Sequence, residues 1–139
     1  MQESEDSYEN IRHDMSKLLD TLAETTKDKI VVPTYIRENA IRGLELNRKG
    51  FGGDGLTDKT KQEARDMANG KVTLSKCVRM AAWFARHKPD TTTDGFKKKS
   101  SPDYPSAGLV AWLLWGGDSN ASMRAADWAA SQVKKIRGE

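Results

Sequence analysis

Apolar residues recur along this chain at helical spacing, in segments separated by glycines and prolines. The first segment is the most regular. Tyr8, Ile11, Met15, Leu18 and Leu22 lie 3, 4, 3 and 4 residues apart. That alternation predicts one long amphipathic helix over roughly residues 4–28, with a coiled-coil seam of about two heptads. A seam so short does not hold a helix together alone, because helix nucleation is costly. The stripe therefore calls for a surface outside itself, and packing away from its own body is the expectation.

Val31, Val32 and Pro33 break that pattern, and Pro33 suits a first helical turn. Ile36, Ala40, Ile41 and Leu44 then predict a helix over about 34–49, which Gly50 ends. Thr57 or Asp58 caps a further helix that stops at Gly70, with Ala64, Met67 and Ala68 as its buried positions. Thr73 or Ser75 opens the next, which Pro89 forbids from continuing past His87. Residues 89–104 show no period and read as an exposed loop. From Pro105 to Trp115 almost every residue is apolar, which places that helix at the centre of the core. After Gly116 and Gly117, Asp118 or Asn120 caps a last helix, with Met123, Ala126, Trp128, Ala129 and Val133 along its stripe. The expected fold is all-α. A compact bundle of about five helices over 31–139 follows a helical arm over 1–30.

Charge sharpens the division between arm and body. Residues 1–29 carry eight acids against four bases, a net of −4, so in a chain of net charge +3 the remainder carries +7. An acidic arm on a basic body suggests a partner for each, or an arm that docks on a neighbouring copy. Residues 1–9 are polar and acidic, unlike a secretory signal or a basic transit peptide. No stretch reaches the roughly 18–20 apolar residues of a membrane helix, so no membrane partner is expected. Cys77 is the only cysteine, which excludes an internal disulfide and suits a reducing compartment.

The chemistry-bearing residues do not converge. His13 and His87 are far apart and Cys77 stands alone, so no metal ligand set has the required spacing. Cys77 reads as a small buried hydrophobe. Asp118 reads as a helix cap rather than a catalytic acid. Gly50-Phe51-Gly52-Gly53-Asp54-Gly55 formally matches a dinucleotide-binding glycine pattern. A charged helix precedes it where such a site needs a strand, so an interhelical turn is the expectation. No cofactor and no enzymatic activity are expected. The most specific surface is on the helix ending at His87. There Lys76, Arg79, Trp83 and Arg86 project to one side, a basic ridge with an aromatic in it, suited to phosphates or an acidic protein. Lys97, Lys98 and Lys99 would assist it. A helix-turn-helix around Gly70 is disfavoured, because Asp66 and Lys76 stand where small apolar residues belong. Trp112, Leu113, Trp115 and Trp128 are expected in the core, with the indole N–H groups on backbone acceptors.

Several of these segments resemble a known module. They are residues 36–46, Gly55-Leu56-Thr57, Ala64-Arg65-Asp66-Met67-Ala68-Asn69-Gly70, Arg79-Met80, Phe84-Ala85-Arg86-His87 and Pro105-Ser106-Ala107-Gly108. The most specific is Ala111-Trp112-Leu113-Leu114-Trp115-Gly116-Gly117-Asp118. Together, over about 33–130, they resemble a small helical module of tailed-bacteriophage proteins, found near head-maturation proteins of the XkdF type. Trp128 comes later than the aromatic that follows Gly-Gly-Asp in that module. The resemblance implies phage origin and a virion or head-assembly setting, with synthesis in the host cytoplasm, and it implies no reaction. The expected partners are other virion proteins, such as capsid, portal, internal or tail proteins. A further copy of the chain and packaged DNA are also expected candidates. A nucleic-acid-binding accessory protein and an inhibitor of a host enzyme are the alternative readings.

Overall fold

The computed structural model describes residues 30–138. The predicted seam of Tyr8, Ile11, Met15, Leu18 and Leu22 lies outside the described residues. The body is mostly helical, with six α-helices among the described residues. Five are long: α1 (Thr34–Arg48), α2 (Asp58–Ala68), α3 (Leu74–His87), α5 (Ala107–Leu114) and α6 (Arg124–Arg137). The sixth, α4 (Asp94–Lys97), is a single turn.

Side-chain caps start three of the helices. Thr57, Thr73 and Ser106 each accept a hydrogen bond from the backbone N–H three residues on, at 3.1 Å. The core gathers around α5, whose Leu109, Val110, Trp112, Leu113 and Leu114 are all buried. α1 packs between α2 and α5 through Ile36, Ala40 and Gly43. α6 lays its buried alanines, Ala125, Ala126 and Ala129, toward the bundle and packs chiefly on α3.

Four expectations from the pattern need correction. Residues 30–33 and 70–72 do not simply interrupt helices. Ile30–Val31 forms β1, antiparallel to β2 (Lys71–Val72), with Ile30 opposite Val72. Ile30, placed in the arm by the 1–30 division, thus belongs to a strand that ties the chain to the α2–α3 junction. Two residues are too few to show an alternating pattern. Residues 89–104 are not wholly exposed either. A 3-10 helix (Lys88–Thr92) buries Thr91, and α4 buries Phe96 edge-on to Trp112 at 5.8 Å. A lone buried phenylalanine has no period to betray it. The last helix begins at Arg124, not at Asp118 or Asn120; Met123 at its N-cap makes no side-chain bond, and the Arg124 N–H donates to Ser122 Oγ at 3.2 Å. Pro33 stands at the N-cap position of α1, one residue before its first turn.

Candidate functional site

The supposed basic ridge on α3 faces inward. Lys76, Cys77, Met80, Trp83 and Phe84 follow the i, i+1, i+4, i+7, i+8 spacing of one helix face, and all five are buried. Lys76 is 1% exposed and Trp83 8%. The reason is Trp115, which follows α5 and enters the gap between Lys76 and Trp83, two turns apart on α3. The Trp115 and Trp83 rings stack at 4.6 Å, 11° from parallel. The Lys76 ammonium sits 3.2 Å from the Trp115 ring centre. These two neighbours cannot share one face of Trp115, so they cover opposite faces. By the same argument His87, stacked on Trp83 at 4.3 Å, covers the face that Trp115 leaves. The result is a four-layer column, His87–Trp83–Trp115–Lys76.

An ion cluster closes its inner end. Glu63 of α2 accepts from Lys76 Nζ at 3.3 Å and from Arg79 Nη1 at 3.1 Å, and the second oxygen of Glu63 accepts from Arg79 Nη2. Burial alone would raise the Glu63 carboxyl, but the Arg79 hydrogen bond and the nearby cations outweigh it and hold it below its ordinary value. Lys76 fares differently. Burial pushes its ammonium down to about 8, against the pull of the one carboxylate it shares with Arg79. The thiol of Cys77 is pushed up by burial to about 12, which leaves it inert as a nucleophile.

The Trp-Gly-Gly-Asp run that follows α5 is used up by packing. A Cβ at Gly117 would come 2.6 Å from the Phe84 ring and closer still to the Trp112 indole nitrogen, so only glycine fits. That nitrogen, buried, has no hydrogen-bond partner, contrary to the expected backbone acceptor. Asp118 does not cap a helix. It accepts from Arg124 Nε at 2.6 Å and Nη2 at 2.9 Å, and from Asn39 Nδ2 at 2.9 Å. Burial would raise its carboxyl, but the Arg124 and Asn39 hydrogen bonds prevail and hold it low. Arg124 also lies over the Tyr35 ring at 3.8 Å. Asp118 thereby ties the α5–α6 loop to α1.

The outer end of the column is open. His87 Nδ1 meets Asp90 Oδ2 at 3.0 Å, and the His87 side chain is 41% exposed. Beside the pair lies a cleft of about 400 Å³ between the glycine-rich loop and the first turn of α5, with Trp83, His87, Asp90, Thr60 and Trp115 among its lining residues. The loop is held in shape. Asn47 Nδ2 donates to Phe51 O at 2.9 Å, and Gly52 has φ +116 with Leu56, Asn47 and Val110 against it. The glycines thus shape one wall of the cleft, and helix α1, not a strand, leads into them, as the sequence implied.

The structure brings Lys76, Arg79 and Trp83 together, but inward, with Glu63 and Trp115. As a phosphate-binding or acidic-partner surface the ridge is therefore withdrawn, because Lys76 and Trp83 are covered by the chain itself. Arg86 is exposed beyond the column. Lys97, Lys98 and Lys99 are exposed, with Lys98 3.5 Å from Asp94. Trp112, Leu113 and Trp115 lie buried, and Trp128 is partly buried against the same core. Sequence reasoning missed Glu63 and Asp90. The second left a faint signal, an acid three residues after His87 across Pro89. Among the described residues no cluster of three metal-ligating side chains occurs, and no helix is long and apolar enough to cross a membrane.

These features describe a mostly helical body with a cleft beside the His87–Asp90 pair. Comparisons of the chain with protein families, with curated proteins and with solved structures return no match.

Proposed function

We propose that this chain is a component of a bacteriophage virion or of its head assembly that binds other virion proteins and catalyses no reaction. The observation that carries the reading is the charge division. A segment of net charge −4, bearing the seam of Tyr8, Ile11, Met15, Leu18 and Leu22, precedes a body of net charge +7. A short apolar stripe amid acids gains by burial against a partner, and the opposite signs steer association between chains. The resemblance of residues 33–130 to a phage module supports the setting, and with it synthesis in the host cytoplasm. The motif residues of that module serve packing here, which suits a scaffold that presents surfaces.

The test is removal of residues 1–29. The expected outcome is a folded body, by circular dichroism and thermal melting, that no longer co-sediments with virion proteins. Assembly at the full-length level by the shortened chain overturns the reading. Mass spectrometry of purified particles, with copy number, gives an independent check: the chain is expected at a fixed stoichiometry.

A further inference from the structure

We propose that the cleft beside His87 binds a guanidinium group, presented as an arginine side chain by a partner polypeptide. The proposal rests on the cleft alone and stands whether or not the chain belongs to a virion.

The electrostatic argument comes first. Residues 30–139 carry a net +7, yet no lysine or arginine lines the cleft. Its acidic lining groups are Asp54 and Asp90, and His87 lines it with them. Among the described residues, neither the Asp54 carboxylate nor Oδ1 of Asp90 has a hydrogen-bond or ion-pair partner. An anion would meet two carboxylates there, whereas a cation finds two acceptors in a body otherwise rich in competing positive charge.

Shape selects among cations. Both faces of Trp83 and of Trp115 are already covered within the column, so a compact ammonium finds no open indole face. One face of His87 rests on Trp83, and the side chain is 41% exposed, which leaves the other face open. A flat, delocalised group can extend the column by one layer while its edge reaches a carboxylate, which is what a guanidinium does and an ammonium does not. His87 is suited to this. Its Nδ1 lies 3.0 Å from Asp90 Oδ2, a contact that fixes the plane of the ring.

The source is argued from the rim. Gly53 and Gly55 are exposed and line the cleft, so a second backbone can approach that edge without meeting a side chain. A volume of about 400 Å³ is in the range of ligand sites and admits a side chain with part of its backbone.

The experiment is an NMR titration of the full chain with three probes: the tripeptide Gly-Arg-Gly, its citrulline counterpart, and agmatine. The arginine tripeptide is expected to shift the amides of residues 52–55 and the His87 ring. The neutral citrulline peptide, nearly the same shape, is expected to leave them in place. Asp54→Asn, at an exposed position with no packing role, is expected to weaken the arginine peptide by about two- to five-fold, the scale of an exposed ion pair. Equal shifts with citrulline, shifts that map elsewhere, or unchanged affinity in Asp54→Asn overturn the proposal. Agmatine binding as tightly as the tripeptide overturns the polypeptide as the source.

Discussion

The two ends of the His87–Trp83–Trp115–Lys76 column are built from the same materials and behave in opposite ways. Each end sets a titratable residue of α3 on a tryptophan face and pairs it with one carboxylate. At the inner end, Lys76 is 1% exposed, Glu63 is largely covered, and Arg79 seals the cluster. At the outer end, His87 and Asp90 are 41% and 51% exposed. The difference lies in what arrives from elsewhere in the chain. α2 brings Glu63 over the inner end, whereas the glycine-rich loop stands back from the outer end and leaves a cleft. Charge on a helix face therefore says little about exposure until the distant partner is known. A buried pair is held by mutual need, since each ion left alone is costly, while an exposed pair is screened by water and contributes little.

The largest effect is expected from breaking the closed end on one side only. Glu63→Gln takes the shared carboxylate from Arg79 and from Lys76, which then sheds its proton near neutral pH, at a cost of about 2–4 kcal/mol. Lys76→Met removes the charge and keeps an unbranched apolar chain on Trp115, so it is expected to cost less than about 1.5 kcal/mol, or to stabilise. Urea denaturation of both variants measures the asymmetry. Similar losses in the two would mean that the inner end is not closed as described. Next in size is Gly117→Ala, whose methyl group meets Phe84 and Trp112. It is expected to cost about 1–3 kcal/mol and to change tryptophan fluorescence, because the column and Trp112 must both move.

Much of this was legible in the sequence and some was not, for identifiable reasons. Ile36, Ala40, Ala64, Met67, Leu109 and Trp112 repeat at helical spacing, and the helices they mark are present. Turn glycines and threonine caps located most boundaries. The α3 ridge was misread because Lys76, Arg79, Trp83 and Arg86 do share a side of the helix by angle. That angle cannot tell that Trp115, some thirty residues on, fills the gap between two of them. Asp118 was misread for a similar reason, since its partners Asn39 and Arg124 lie on different helices. The cleft depends on how far the glycine-rich loop stands from α5, a tertiary distance with no local signature.

pH separates the two ends further. Burial lowers Lys76 from 10.5 to about 8 in the folded chain. Between those values the unfolded chain holds a proton that the folded chain lacks, so stability rises with pH, by up to about 1.4 kcal/mol per unit. Cys77 acts in the other direction. Its thiol is raised from 9.0 to about 12 on folding, so above pH 9 the unfolded chain loses a proton that the folded chain keeps. The urea midpoint is therefore expected to rise between pH 8 and 9 and then to flatten. Lys76→Met removes the rise, and Cys77→Ala extends it toward pH 10, where the half-buried Tyr35 phenol, itself raised by partial burial, begins to oppose it. A midpoint that falls from pH 8 onward would show that Lys76 keeps its proton.

The smallest effect on stability is expected at the open end. Asp90→Asn takes the carboxylate from His87, but both side chains are near half-exposed and water replaces the lost contact. The expected cost is under about 1 kcal/mol. The amide can still accept from His87 Nδ1, so the ring need not leave Trp83, and the indole fluorescence should stay as it was. Water screens the pair in the free chain but is displaced when a ligand fills the cleft, so a group that adds little to folding can still decide binding. The same variant should therefore weaken an arginine peptide while leaving the melt nearly unchanged. A loss of several kcal/mol in Asp90→Asn would mean that the outer pair is closed like the inner one, and the contrast between the two ends of the column would fall.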